Sequence, residues 1–165
     1  MEGIIENAYL LAGTNLGDRL SNLLSARKKI TGSIGEIISM SHIYETEPWG
    51  FESDNSFYNQ AFCIRTDLPV STILELIHKI EKEAGRTRTS GRYTDRTLDI
   101  DILMFGDKIV KARNLIIPHP FLHLRRFALA PMAEISPDVI HPVFNKSISQ
   151  LLVNCDDKIR VKKLE

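Results

Sequence analysis

The order strand, helix, strand, strand, helix, strand predicts an α+β ferredoxin-like sandwich: an antiparallel sheet with two helices packed on one face and the opposite face left for an active site. Three observations carry this. Two segments, 18–32 and 69–84, set apolar residues at helical spacing. The segments around them run apolar or alternate as strands do. Nothing in the 165 residues repeats or reads as a linker, so one domain over 1–165 is expected.

Residues 4–12 are apolar and β-prone toward their end, and Gly13-Thr14-Asn15-Leu16-Gly17 reads as a turn that closes this strand and opens a helix. With neither GxxxxGK[ST] nor GxGxxG present, Gly13 and Gly17 fit a plain strand-to-helix turn better than a phosphate loop. From Asp18, Leu20, Leu23, Leu24, Arg27 and Ile30 follow helical spacing, ending at Gly32. Residues 34–46 read as one long strand, broken by Pro48 and Gly50. After a polar loop, 57–66 returns as a strand, with Phe57, Asn59 and Ala61 on one face and Tyr58, Gln60 and Phe62 on the other; the two strands should form an antiparallel hairpin with a wide loop.

The clearest helix covers 69–84, with Val70, Ile73, Leu74, Ile77, Ile80 and Ala84 as its stripe and Gly85 as its C-terminal cap. Residues 97–103 alternate as a strand, placing Leu98, Ile100 and Ile102 in the core and Asp99 and Asp101 on the other face. Phe105-Gly106-Asp107-Lys108 reads as a hairpin turn into Ile109-Val110, and 114–119 brings His119 back. A helix over 124–135 starts with Arg125 and Arg126 and should be divided or bent at Pro131. A short helix is expected over 147–153, and 156–165 is mostly charge.

Lys plus Arg equals Asp plus Glu at 21 each, which gives no global pull toward nucleic acid or a membrane surface. A polyphosphate would have to be recognised locally. Cys63 and Cys155 have the spacing of neither a zinc site nor a disulfide framework, which suits a reducing cytosol. No apolar run approaches the roughly 18 residues of a membrane span, and the first ten residues lack the marks of a signal peptide. A soluble cytoplasmic protein with no nucleic-acid or membrane partner is expected.

The chemistry concentrates in 86–103. Arg86, Arg88, Arg92 and Arg96 precede Asp99 and Asp101, two carboxylates on one strand face. Residues i and i+2 of a strand lie roughly 6–7 Å apart, which suits a pair of divalent cations about 4 Å apart. Magnesium is commonly held by one or two carboxylates plus substrate phosphates, and the arginines suit such phosphates. Alternating acids alone most often mark a solvated strand face. An arginine-rich loop flowing straight into the pair favours the chemical reading.

The segments Tyr44-Glu45-Thr46-Glu47-Pro48-Trp49-Gly50, Asn59, Ile80-Glu81, Gly85-Arg86, Arg96-Thr97-Leu98-Asp99-Ile100-Asp101, Pro118-His119-Pro120 and Arg125-Arg126-Phe127 resemble, in order and spacing, the 6-hydroxymethyl-7,8-dihydropterin pyrophosphokinase family. The resemblance runs over about 9–152. It implies a ferredoxin-like fold that transfers the terminal pyrophosphoryl group of ATP to the pterin hydroxymethyl group, releasing AMP, in folate biosynthesis. It implies two Mg²⁺ ions on Asp99 and Asp101, with Arg86 and Arg96 as further catalytic residues. ATP contacts fall by family position on His78, Glu81, Arg86, Arg88, Arg92, Arg96, Ile102, His119 and Arg125. The pterin pocket falls on Thr46, Pro48, Trp49, Phe57, Asn59 and Phe127, of which Phe57 and Asn59 offer an aromatic face and an edge amide from one strand face. The implied partners are the two small substrates, for a monomer. A different two-metal enzyme, a nucleotidyltransferase or cyclase, would release pyrophosphate instead; a non-catalytic binding module would need neither the arginines nor the aspartate pair. Two departures stand out: Thr94-Asp95 replaces a small pair such as Gly-Pro, removing a rigid turn and adding a negative charge near the phosphates, and His78 stands where Gln is common. With few apolar anchors, 87–95 is expected to be mobile without ligand.

Overall fold

The computed structural model describes residues 3–85 and 94–165. Along the chain, β1 (Glu6–Thr14) leads through α1 (Arg19–Ser33) to β2 (Glu36–Met40), β3 (Tyr44–Thr46), β4 (Phe57–Thr66) and α2 (Val70–Glu83). Then come β5 (Asp99–Phe105), β6 (Val110–Ala112), β7 (Leu115–Ile117), a 3₁₀ turn (Leu122–Leu124), α3 (Arg126–Ile135), α4 (Ile148–Val153) and β8 (Val161–Lys163). The main sheet is antiparallel in the order β5-β1-β4-β3-β8, with β2 also paired to β4. The interior strand β1 is buried from Ala8 onward on both faces, as an apolar run flanked on both sides requires.

The two expected helices pack on one face: Leu23, Ala26 and Ile30 of α1 and Ile73, Ile77 and Ile80 of α2 meet Leu10, Phe62, Ile64 and Ile100 of the sheet. Asp18 caps α1 by accepting the Ser21 N–H, and Gly85, at φ +87°, follows α2. The stripe of α1 is narrower than its leucines suggest, because Leu20 and Leu24 are about half exposed. The opposite face carries a second core, in which Leu122, Ala128, Leu129, Met132, Ile148 and Leu151 cover Tyr9, Leu11, Cys63, Leu103 and Met104. At about 1.5–3 kcal/mol per fully buried aliphatic side chain, α3 and α4 stabilise the sheet on the scale of the first pair. They cover one end of that face and leave the other open.

Five local expectations change. Residues 34–46 form two strands, with Ser41 at the break: its N–H donates to the Ala61 carbonyl (2.9 Å) and its Oγ accepts the Ala61 N–H (2.9 Å), so β4 keeps its partners. β1 continues to Thr14, which makes Gly13 a strand residue. The segment after β5 is not its hairpin partner, since β6 pairs with β7. α3 runs undivided through Pro131, although proline cannot donate back along the helix. The charged tail supplies β8, which pairs with β3 through Thr46↔Val161 and Tyr44↔Lys163.

Candidate active site

At the open end of the second face, β1, β3, β4 and β5 border a cleft. Its floor follows from register: Gly13 lies opposite Asn59 on one neighbour and opposite Asp99 on the other. A Cβ at Gly13 would stand 2.7 Å from the Asn59 Oδ1, so only glycine lets that amide lie across β1. Asn59 is 3% exposed and donates from Nδ2 to the Thr46 Oγ1 at 2.9 Å. Aromatic rings surround this end. Phe51 meets Phe57 edge-on at 6.1 Å, and Trp49 meets Phe127 at 6.4 Å and Phe121 at 6.1 Å.

The other end is ionic. Asp99 and Asp101 project from β5 because Leu98, Ile100 and Ile102 occupy the helix-side core. Arg96 donates to the Asp99 Oδ2 at 2.8 Å, and Arg125 stands 3.7 Å from the Asp101 Oδ2. Arg125, 7% exposed, also lies over the Trp49 ring at 4.5 Å, so one cation borders both ends of the cleft. Burial, and then the charge of Asp99, raises the Asp101 pKa against the pull of Arg125. His119 is pushed down to about 4, first by burial and then by Arg125. Its Nδ1 accepts the Phe121 N–H at 3.1 Å, which suits a neutral ring whose Nε2 carries the proton.

Thr46, Trp49, Phe57, Asn59, Arg96, Asp99, Asp101, Arg125 and Phe127, all singled out from sequence, line this one cleft. Pro48 is half-buried within the β3–β4 connection. His119 lies close enough for Arg125 and Asp99 to act on its charge. Three of the expected nucleotide positions fall elsewhere: His78 is exposed on α2, Ile102 is buried in the helix-side core, and Glu81, 2% exposed, accepts the Ile100 N–H at 2.9 Å. Glu81 thereby holds the strand that carries the aspartates. Arg86, Arg88 and Arg92, and most of the segment expected to be mobile, lie outside the described residues. Leu11, Gly13, Glu47 and Phe51 also line the cleft. A glycine late in an apolar strand was a usable signal for Gly13; Leu11 carried none.

Two aspartates, two arginines and an aromatic pocket with a buried amide, set on an α+β sandwich, define an enzyme-like site for a small molecule with one flat end and one anionic end. Comparison with known proteins narrows this class. The profile described as 7,8-dihydro-6-hydroxymethylpterin-pyrophosphokinase (HPPK) matches residues 9–137. The 2-amino-4-hydroxy-6-hydroxymethyldihydropteridine pyrophosphokinase of Aquifex aeolicus is 39% identical over 142 residues, covering 86% of this chain and 88% of that protein. Its counterpart in Bacillus subtilis is 41% identical over 133 residues, covering 80% and 79%. Among solved structures, the Plasmodium falciparum HPPK-DHPS with pterin and p-hydroxybenzoate superposes with a TM-score of 0.72 at 20% identity, over 93% of this chain and 43% of that one. This chain spans less than half of that longer protein, and the likeness there is one of fold. The chain belongs to the 7,8-dihydro-6-hydroxymethylpterin-pyrophosphokinase family.

Proposed function

We infer that the cleft is where this chain joins its two substrates, with the pterin ring at the aromatic end and the ATP triphosphate at the ionic end. Family membership makes the chain an ATP-dependent pyrophosphokinase that transfers pyrophosphate from ATP to 6-hydroxymethyl-7,8-dihydropterin in folate biosynthesis, giving the pterin pyrophosphate and AMP. The observation that carries the placement is the register across Gly13, which sets Asn59 and Asp99 on either side of one residue.

In this reading Asn59, held by Thr46, pairs with the amide edge of the pterin, while Phe57, Trp49 and Phe127 cover its faces and Pro48 fixes the turn that presents Trp49. Arg96 and Arg125 neutralise the triphosphate and orient it, so the hydroxymethyl oxygen faces the β-phosphorus; an oxygen–phosphorus bond forms there as the bond to the oxygen of the AMP phosphate breaks, and the hydroxyl proton is released to water. His119, neutral at physiological pH, donates to a phosphate oxygen. Arg86 and Arg96 act on the migrating group, Arg88 and Arg92 add positive charge from the preceding segment, and beyond the cleft His78 meets the rest of the nucleotide, while Glu81 and Ile102 act on it only through the strand they hold.

The aspartate pair fits Mg²⁺ by its chemistry: two hard oxygen donors on one strand face, one of them raised in pKa by burial and by the other's charge, are favoured by a divalent cation. Asp99 and Asp101 would hold two Mg²⁺ ions, whose charge would offset that of the triphosphate. We further read the chain as one domain over 1–165 that works as a cytoplasmic monomer without nucleic acid. Zero formal net charge, two free buried cysteines, and the lack among the described residues of any helix long and apolar enough to cross a membrane support that reading.

The test is to incubate the protein with Mg²⁺, ATP and the hydroxymethyl pterin and identify the nucleotide product. AMP formed in step with pterin pyrophosphate is expected. Release of pyrophosphate would assign the site to nucleotidyl transfer instead.

A further inference from the structure

Asp95 follows the arginine segment directly, and a carboxylate there is expected from sequence to add negative charge near the phosphates. It is engaged elsewhere. Its Oδ1 accepts from the Asn15 Nδ2 at 2.7 Å and its Oδ2 from the Asn55 Nδ2 at 2.8 Å. Its pKa is lowered, first by a hydrogen bond from the Ser53 side chain and then by those from Asn55 and Asn15. Asp95 is absent from the residues that line the cleft.

Asn15 completes the junction. It is 3% exposed, its Oδ1 accepts the Arg96 N–H at 2.6 Å, its own N–H donates to the Arg96 carbonyl at 3.0 Å, and its Nδ2 also reaches the Asn55 carbonyl at 3.3 Å. Three segments therefore meet at one carboxylate: the end of β1, the β3–β4 connection and the lead into β5. On the connection's far side, Arg19 donates to the Ser56 Oγ at 2.8 Å and pairs with Glu45 at 3.3 Å. The connection that carries Trp49 and Phe51 into the cleft is thus tied down at its return end.

We propose that Asp95 is a positioning residue for the transfer reaction, fixing the connection that walls the ring end of the cleft to the backbone of Arg96 at its ionic end. The proposal rests on the reading of this cleft as the active site. A charge-assisted pair of amide bonds is the strong form of such a tie, and it joins loops rather than core elements. Its loss should change substrate geometry without unfolding the sheet. Leaving an amide unpaired, together with the lost charge-assisted bond, predicts a decline of about tenfold in kcat/KM.

Trp49 supplies a reading independent of turnover, because it is the single tryptophan of the chain and lines the cleft from the tied connection. In Asp95→Ala the emission of ligand-free protein should shift to the red while the melting temperature holds, and kcat/KM should fall. Asn55→Ala should cause a smaller loss alone and none in the Asp95→Ala background, since both cut the same arm. If Asp95→Ala fails to fold, Asn55→Ala carries the same readings, because it leaves the Asn15 arm intact. Unchanged Trp49 emission with kcat/KM within about twofold of wild type, or fully additive losses in the double variant, would overturn the proposal. Wild-type AMP formation is measured first, so failure of the functional reading is seen separately from failure of the tie.

Discussion

The two ends of the cleft are built to different states of completion. At the ring end, Asn59 donates to Thr46, and the rings already pack edge-on in two pairs, Phe51 with Phe57 and Trp49 with Phe127. At the ionic end, Asp101 is held against burial and against Asp99, with arginines engaging both carboxylates. The ring end is preorganised and needs only a ligand of matching shape; the ionic end stores carboxylate repulsion that a cation relieves. The difference teaches where mutation should act, with loss of shape and amide pairing weakening one substrate and loss of charge at the other end stopping the reaction.

The largest effect expected is at Asp99 and Asp101. Asp99→Asn or Asp101→Asn should lower turnover by about a hundredfold or more, the scale on which a group stabilising transition-state charge is felt, with no loss of melting temperature. Activity within a few-fold of wild type in both variants, measured as AMP formed per minute, would remove the contrast between the ends.

Asn59→Ala comes next. Unpaired pterin groups should weaken pterin binding by about 1–3 kcal/mol, while ATP affinity, measured by calorimetry, changes little. Equal losses for both ligands would mean that the two ends are not separable. Gly13→Ala sharpens the same point, since a Cβ 2.7 Å from the Asn59 Oδ1 must displace that amide. It should raise the pterin KM by about tenfold, in line with an overpacking penalty of 1–3 kcal/mol, and leave the ATP KM nearly as it was.

The smallest effect lies behind the ring end. Glu134 on α3 accepts from the Tyr44 hydroxyl (2.7 Å) and the His42 N–H (2.9 Å) and faces Lys163 of β8 at 3.4 Å. Burial alone would raise its pKa, but these bonds outweigh it and lower the carboxyl to about 2. A depressed folded-state pKa gives stability that is present above the ordinary carboxyl range near 4.5 and is lost as pH falls toward 2. Glu134→Gln should therefore melt lower than wild type at neutral pH, by an amount that shrinks on acidification between those values. A difference constant with pH would show that the clasp is not ionic.

Local pattern was enough for much of this molecule. Helical spacing marked α2 and, less sharply, α1. The alternation of Leu98, Ile100 and Ile102 with Asp99 and Asp101 separated core from cleft on β5, and the face shared by Phe57 and Asn59 was visible for the same reason: side-chain direction on a strand is set by the chain itself, with a period of two. The break at Ser41, the undivided α3 and the pairing of the charged tail as β8 were not visible, because each depends on a partner distant in sequence. Glu81 reads as a polar helix residue until α2 packs over β5 and brings the Ile100 amide to it. Gly13 reads as a turn until register places Asn59 and Asp99 beside it, and Asp95 reads as a charge near the phosphates until Asn15 and Asn55 take both its oxygens. The sequence alone determined which side chains share a face. Only the tertiary structure decided which faces meet, because strand register and helix docking are fixed by burial summed over the whole core, and no single segment carries that sum.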